Sequence, residues 1–336
     1  MRLALEVTRR KPFHGHCKDC EHQTTDLNNW DILRESKTYA KGEHTFPFSF
    51  LLPGHLPASM KGLLSEIDYT LKGTLTTRSG DILKISHVLN VKRAVHPGDG
   101  PRKSVRIFPP TNLTAHCELP TVIHPIGETS ITMRIDGIIN KNVDAKTQTQ
   151  WRLKRVTWRL DETQKTISPA CTKHGAKLAK DDNKPGIAHQ EIRTIGLAEL
   201  KDGWKGDYSD ADGSILFEFP FGIKADAHPI CDMKTEDGTE VSHVLVVEMI
   251  VTEEFATMAR PKQLTPTGAA RVLRMHFNIV VTERAGLGIS WDEEQPPLYE
   301  NVPASPPNYK QGDMADLPDY DEIPPLAEGV GSLSVS

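Results

Sequence analysis

The chain contains 336 residues, of which 38% are hydrophobic, and it carries 24 prolines and 24 glycines. So many turn-forming residues exclude a single helical bundle, and the length allows two domains with cores of their own. The formal charge of −5 is uneven, because residues 290–336 contain ten acidic side chains against one base, whereas residues 1–289 contain 39 bases against 35 acids. A body this weakly basic does not indicate nucleic-acid binding.

Neither a membrane span nor a secretory signal is predicted. The longest apolar run, from Val244 to Val251, is interrupted by Glu248 and is far shorter than the roughly 20 residues that a membrane helix needs. The segment from Met1 to Val7 is too short, and too soon broken by Glu6, to act as a signal peptide. We therefore expect a cytoplasmic protein whose five cysteines are free thiols.

A histidine- and cysteine-rich segment near the N-terminus is the one metal-like cluster that the sequence suggests. Its members are His14, His16, Cys17, Cys20 and His22. Two cysteines separated by two residues can form one half of a tetrahedral zinc site. A second pair of ligands is not recognisable, because Cys117, Cys171 and Cys231 are isolated in the sequence. The segment is therefore predicted to be a loop with incidental thiols and without a metal or cofactor.

Apolar and polar residues alternate through most of the body, which is typical of half-buried antiparallel strands. Such strands are predicted at residues 67–75, 83–91, 131–135 and 273–281. A continuous apolar run at 244–247 indicates a strand covered on both sides, and 215–219 is predicted as a short strand that Pro220 ends. Strands separated by Pro and Gly, with little helix, predict an all-β protein made of stacked antiparallel sheets.

The turn-forming sequence HPGDGP at residues 96–101 predicts a boundary between two sandwiches. The expected domains are therefore residues 1–97 and 98–290. They are followed by a tail at 291–336, whose prolines and acidic residues predict disorder. A polar stretch from Lys173 to Gln190 is predicted to be a long loop inside the second sandwich.

A basic run lies on one predicted strand of the second sandwich and consists of Arg152, Lys154, Arg155 and Arg159. Basic side chains commonly protect an exposed sheet edge against pairing with another chain. A solvated edge strand is therefore one interpretation of this run.

The acidic tail carries two copies of a Pro-Pro-x-Tyr motif, at residues 296–299 and 306–309, and a weaker match at 317–320. Paired prolines favour a polyproline II conformation, which presents the prolines and the tyrosine ring to an aromatic groove at little ordering cost. WW domains recognise this combination. The residues predicted to contact such a domain are Pro296, Pro297, Tyr299, Pro306, Pro307, Tyr309 and, with Leu317 in place of the first proline, Tyr320.

Several segments of the body resemble the fungal arrestin-related trafficking adaptors, or α-arrestins, and in particular the branch known for downregulating amino-acid permeases. The similar segments are HTFPFSFLLPGHLP at 44–57, IDYTL at 67–71, RIFPPT at 106–111, PTVIHP at 120–125, WRLKRVTW at 151–158, VSHVLVVEM at 241–249 and RAGLGISWD at 284–292. The resemblance implies two tandem arrestin-type, immunoglobulin-like β-sandwiches. The chain begins about midway through the expected N-terminal sandwich. The first sandwich is therefore expected to be incomplete, as in a truncated sequence, and to expose apolar faces.

The resemblance also implies a function. Adaptors of this family bind plasma-membrane amino-acid transporters and recruit HECT-class ubiquitin ligases through WW domains, so that the transporter is ubiquitinated and internalised. It implies that the basic run (Arg152, Lys154, Arg155 and Arg159) binds acidic segments of the cargo. The expected location is cytoplasmic, with recruitment to plasma, endosomal or Golgi membranes.

Two other functions are weighed against the adaptor. One is an arrestin-fold coat or sorting subunit, which would not need the tail motifs. The other is a metal-dependent enzyme that uses the cluster between His14 and His22, but the sequence has no Gly-x-Ser-x-Gly elbow, His-Glu-x-x-His motif or Gly-Lys-Ser phosphate loop. The sequence therefore predicts a protein that is not an enzyme.

Overall fold

The computed structural model describes residues 1–95, 98, 100–175, 186–210 and 212–284. In these residues the chain forms strands and one four-residue helix, α1 (Lys18–Glu21), which confirms the predicted all-β class. No helix in this part of the chain has the length and apolar character needed to cross a bilayer.

The first sheet is formed by the N-terminal strands. They are β1 (Arg2–Arg9), β2 (His22–Asn29), β3 (Met60–Lys61), β4 (Ser65–Thr76) and β5 (Ile82–Leu89). The spatial order is β2-β1-β4-β3, and β5 also pairs with β4; all of these pairs are antiparallel.

Two further sheets face each other and form the second sandwich. A five-stranded sheet contains β6 (Arg102–Ile107), β7 (Thr114–Leu119), β9 (Glu128–Asp136), β13 (Trp204–Asp207) and β14 (Ser214–Gly222). A seven-stranded sheet contains β8 (Val122–Ile123), β10 (Ile139–Asn142), β11 (Thr147–Pro169), β12 (Gly186–Leu200), β15 (Met233–Lys234), β16 (Glu240–Thr257) and β17 (Thr265–Val281). The inward side chains of both sheets, among them Met133, Phe219 and Phe277, build one continuous apolar core.

The predicted strands are found, but their limits and exposure differ in three places. Pro220 does not end its strand, because β14 continues through it to Gly222 and pairs with β9 throughout. The predicted loop from Lys173 to Gln190 is too long, since β12 begins at Gly186 and pairs with β11. The strand predicted at 83–91 is β5, and it is not half-buried: Leu83 and Ile85 are 58% and 70% exposed.

The first sheet shares its small core with the second half of the chain. Val7, Ile67 and Tyr69 pack in one buried cluster with Ile230 and Val241. Because two of these partners lie near β15 and β16, the first sheet obtains part of its apolar burial from the second sandwich. Its apolar residues on β5 remain exposed.

The strand β11 changes chemistry along its inner face. The buried residues up to Leu160 are mostly apolar and lie in the core of the second sandwich. The later buried positions are polar: Glu162, Gln164, Thr166 and Ser168. This polar half faces the first sheet, where Gln164 Oε1 accepts a hydrogen bond from the Leu63 backbone N–H at 2.7 Å and Ser168 Oγ donates one to the Lys11 carbonyl at 2.6 Å.

Arg9 of β1 is the buried cation of this interface and is only 1% exposed. Its Nη2 donates to Asp237 Oδ2 at 2.9 Å, and its Nε donates to the Ile167 carbonyl at 3.2 Å. Burial lowers the pKa of the Arg9 guanidinium, although the nearby Asp237 carboxylate opposes the shift. Arg9 thus keeps its positive charge through Ile167 and Asp237, which lie far from it in the sequence.

Glu162 is the buried anion next to this interface. Its Oε1 accepts hydrogen bonds from Arg193 Nε and Gln164 Nε2, both at 2.7 Å, and its Oε2 accepts one from the Ile230 backbone N–H at 2.9 Å. Burial raises the pKa of Glu162, but hydrogen bonds from His243, Arg193 and these other donors outweigh burial and lower it to about 2. The carboxylate is therefore charged in the folded protein.

We expect Glu162→Gln to lower the free energy of unfolding by about 3 kcal/mol, because Arg193 loses its charged partner in a buried site. Glu240→Gln is a matched control, since its pair with Lys165 at 3.4 Å is largely exposed, and it should change stability by less than about 1 kcal/mol. Urea unfolding followed by tryptophan fluorescence measures both. Equal losses in the two variants would contradict the assigned role of Glu162.

His243 gives this network a pH dependence. Burial lowers the pKa of His243, but hydrogen bonds to Asp232 at 2.7 Å and to Glu162 at 3.4 Å outweigh burial and raise it above 6.5. Its stabilisation should thus be complete below about pH 6.5 and should disappear as the pH rises through the raised pKa. The difference in urea midpoint between the native protein and His243→Gln should shrink with rising pH. His116→Gln, which removes an exposed pair with Asp136, is the control and should change the urea midpoint little. A native-minus-His243→Gln difference that grows with pH would refute the assignment for His243.

Candidate functional site

The predicted ligase-binding motifs lie outside the described residues. This applies to Pro296, Pro297, Tyr299, Pro306, Pro307, Tyr309 and Tyr320. Their role remains a prediction from the sequence.

The basic run on β11 faces outward and depends on a β-bulge. Leu153 opposes Val251 of β16, whereas Arg155 opposes Ile250, so that Lys154 is an extra residue in the ladder. The extra residue shifts the in-and-out alternation of the side chains by one position. Arg152, before the bulge, and Arg155 and Arg159, after it, therefore point to the same outer face of the sheet. All four basic side chains are consequently about half exposed.

The edge-strand interpretation of the basic run is only partly correct. Residues 156–169 of β11 pair with β12 on one side, and β16 lies on the other side. Arg159 therefore lies on an interior strand, and the interpretation is wrong for this residue. Residues 152–155 pair with β16 alone, because the pairing of β11 with β10 stops at Gln150, opposite Ile139, and its pairing with β12 starts only at Val156, opposite Leu200. A local edge exists only in that gap.

Nearby carboxylates offset much of the basic charge. Arg152 Nε lies 3.5 Å from Glu254 Oε2, Lys154 approaches the same carboxylate at 3.9 Å, and Arg155 Nη1 lies 3.9 Å from Glu199 Oε1. Arg159 Nε donates to Asp161 Oδ2 at 2.8 Å, and this hydrogen bond raises the pKa of Arg159. The basic member of each pair is about half exposed, so an acidic partner can reach the same cations.

Arg152 also lines a cleft of about 770 Å³ beside the gap in the sheet. The lining includes two more bases, Lys141 and Lys262, one acid, Asp207, and the ring of Tyr208. The lining also includes the apolar side chains Ile139, Met258 and Leu264. Basic and apolar groups side by side are suited to a peptide that is both acidic and hydrophobic.

The structure brings two pairs of possible metal ligands together that lie far apart in the sequence. Cys17, Cys20, Cys171 and His174, here called the Cys₃His cluster, place their Sγ and Nδ1 or Nε2 atoms within 4.8 Å of one another. The prediction that Cys171 is isolated is therefore wrong. Cys117 and Cys231 do lie elsewhere; burial raises the pKa of their thiols to about 11 and 12.

Two similar turns hold the Cys₃His cluster. The Cys20 backbone N–H donates to the Cys17 carbonyl at 3.0 Å at the start of α1, and the His174 backbone N–H donates to the Cys171 carbonyl at 2.9 Å just after β11. Burial by itself would raise the pKa of the Cys171 thiol, but hydrogen bonds from Cys20, His174 and the backbone outweigh burial and lower this pKa to about 6. The second turn repeats the spacing of the first, with histidine as its last residue.

The neighbouring histidines have other positions. His14 stacks on His174 with ring centroids 4.5 Å apart, His22 Nδ1 lies 3.0 Å from Thr8 Oγ1, and His16 is exposed. The sequence signal that was missed is Cys171-x-x-His174, which matches Cys17-x-x-Cys20 in spacing but lies about 150 positions further along the chain.

This fold, an all-β body whose first sheet packs on a complete second sandwich, is arrestin-like in class. Residues 1–178 match a family model described as LDB19, arrestin N-terminal-like. An uncharacterized protein of Schizosaccharomyces pombe is 34% identical over 97% of this chain and 81% of its own length. Protein LDB19 of Saccharomyces cerevisiae is 22% identical over 92% of this chain and 67% of its own length. The chain belongs to the LDB19 arrestin-like family, which confirms the resemblance to fungal arrestin-related proteins.

Proposed function

We propose that this protein is a trafficking adaptor that links plasma-membrane amino-acid transporters to a HECT-class ubiquitin ligase carrying WW domains. The observation that carries the proposal is the pairing of an LDB19-type arrestin-like body with two Pro-Pro-x-Tyr motifs at 296–299 and 306–309. The body binds the transporter, the tail binds the ligase, and the transporter is ubiquitinated and internalised. The protein itself works in the cytoplasm and is recruited to membranes by its partners.

The tail is suited to ligase binding because its recognition groups need little ordering. In each motif the paired prolines restrict the backbone, so that few conformations are lost when the tyrosine enters an aromatic groove. Two motifs on one tail also raise the local concentration of binding sites, which slows net dissociation of the ligase.

Replacing Tyr299 and Tyr309 together by alanine should weaken binding of the full chain to an isolated WW domain by at least about tenfold, because each motif loses its aromatic anchor. Tyr320→Ala is the matched control in the same tail and should have a much smaller effect, since its motif lacks the first proline. Titration calorimetry measures the affinities.

In cells, the double variant should leave at the plasma membrane those amino-acid transporters that the native protein causes to be internalised. If the double variant binds WW domains as the native chain does, the link to the ligase is wrong. If WW binding is lost but transporter removal continues, the coat or sorting function is favoured instead.

The cleft beside β11 is our proposed cargo site. Its basic residues Lys141, Arg152 and Lys262 lie next to apolar side chains, and exposed cations attract acidic cytosolic segments of a transporter. Arg155 and Arg159 extend the basic surface along the same face of β11. Lys154 lies at the bulge, between Arg152 and Arg155, and shares Glu254 with Arg152.

Removing charge from the cleft tests this site without adding new repulsion near Glu254. The variant Arg152→Gln/Lys262→Gln should bind acidic segments of amino-acid transporters about tenfold more weakly in fluorescence anisotropy, and the loss should diminish at high salt. Arg271→Gln, at an exposed position on β17 of the same sheet, is the matched control and should bind normally. WW binding should stay unchanged in both variants; unchanged cargo binding by the double variant would exclude the cleft as the cargo site.

A further inference from the structure

The Cys₃His cluster has the dimensions of a tetrahedral metal site. Cys17 Sγ and Cys171 Sγ are 3.7 Å apart, Cys20 Sγ and His174 Nδ1 are 3.5 Å apart, and Cys171 Sγ and His174 Nδ1 are 3.2 Å apart. Around a zinc ion, Zn–S bonds of about 2.3 Å and Zn–N bonds of about 2.0 Å place neighbouring ligand atoms about 3.5 to 3.8 Å apart. The donor atoms are therefore already close to the positions that such an ion requires.

The chemistry of the donors selects the metal. Three thiolates and one imidazole form a soft set, which favours zinc over magnesium or calcium, since those ions prefer oxygen ligands. The two cysteine-x-x-ligand turns, each closed by a backbone hydrogen bond to its first cysteine, present their ligands in pairs as structural zinc sites do. We propose that the Cys₃His cluster binds one Zn²⁺ as a closed structural site.

A disulfide explains the arrangement less well. The Cys17 and Cys171 sulfurs are 3.7 Å apart, whereas a disulfide bond is about 2.05 Å long. That bond would also leave the buried Cys20 thiol and the His174 ring without a shared role. A zinc ion uses all four groups at once.

The groups around the cluster support a bound ion. The His14 ring stacks on the His174 ring with an interplanar angle of 7°, which fixes the orientation of the imidazole. Three thiolates and one zinc ion carry a net charge of −1, and Lys173, which pairs with Asp19 at 2.8 Å, places a cation next to them. Four protein ligands fill the tetrahedron and leave no position for a substrate, so the site is structural rather than catalytic.

The zinc would connect the first sheet to the second sandwich. Cys17 and Cys20 belong to the connection between β1 and β2, and Cys171 and His174 follow the end of β11, 154 positions further along the chain. A cross-link over so long a loop removes many conformations of the unfolded chain. It also holds the end of β11 against the sheet on which the polar face of β11 packs.

Metal content of the full-length protein tests the proposal. After purification under reducing conditions, elemental analysis by inductively coupled plasma mass spectrometry should find about one zinc per chain. Cys17→Ser and Cys171→Ser should each reduce the zinc content at least about tenfold. Cys231→Ser, which removes a half-buried thiol outside the cluster, is the matched control and should keep its zinc. His174→Cys should also keep it, because a fourth thiolate completes the same tetrahedron.

The native protein provides a test that does not depend on the folding of variants. Titration of its thiols with an organomercurial should release the zinc, and removal of the metal by a chelator should lower the thermal midpoint, which added zinc should restore. Two results would overturn the proposal: native protein that holds no zinc even after incubation with the ion and dialysis, or a loss of zinc in Cys231→Ser as large as that in Cys17→Ser. A Cys17–Cys171 disulfide in protein purified with reductant present would overturn it as well.

Discussion

The position of the first sheet depends on the polar half of β11. The first sheet has few buried apolar residues of its own, and it packs both on the apolar side chains Ile230 and Val241 and against Gln164 and Ser168. The ion pair between Arg9 and Asp237 lies in the same contact and is almost completely removed from water on the arginine side. Such groups tolerate few alternative arrangements, because each unpaired partner would remain buried.

Buried charges add less to stability than to the choice of one arrangement. Moving the Glu162 carboxylate out of water costs several kcal/mol, and its hydrogen bonds from His243, Arg193, Gln164 and Ile230 outweigh that cost. An apolar contact of the same size would tolerate sliding of the first sheet along β11. The directional bonds to Leu63 and Lys11 specify one register instead.

The sequence predicts the local features of this protein well and the long-range ones poorly. Alternation revealed the strands that contain Ile67, Met133 and Met275, because one face of each packs on a core. It could not reveal that β5 would lack a covering layer, since alternation reports a pattern and not a partner. The bulge at Lys154 likewise depends on β16, and the pairing of Cys17 with Cys171 depends on the fold that joins them.

The junction between the first sheet and β11 combines three kinds of contact within a short distance along the strand. The apolar cluster around Ile67 lies at one side, the polar contacts of Gln164 and Ser168 follow, and the Cys₃His cluster lies beyond the strand end. Apolar burial is strong but not directional, hydrogen bonds are directional but weak, and metal bonds are both strong and directional. The proposed cargo site lies on the outer face of β11, and contacts that fix this strand would hold that site in place as well.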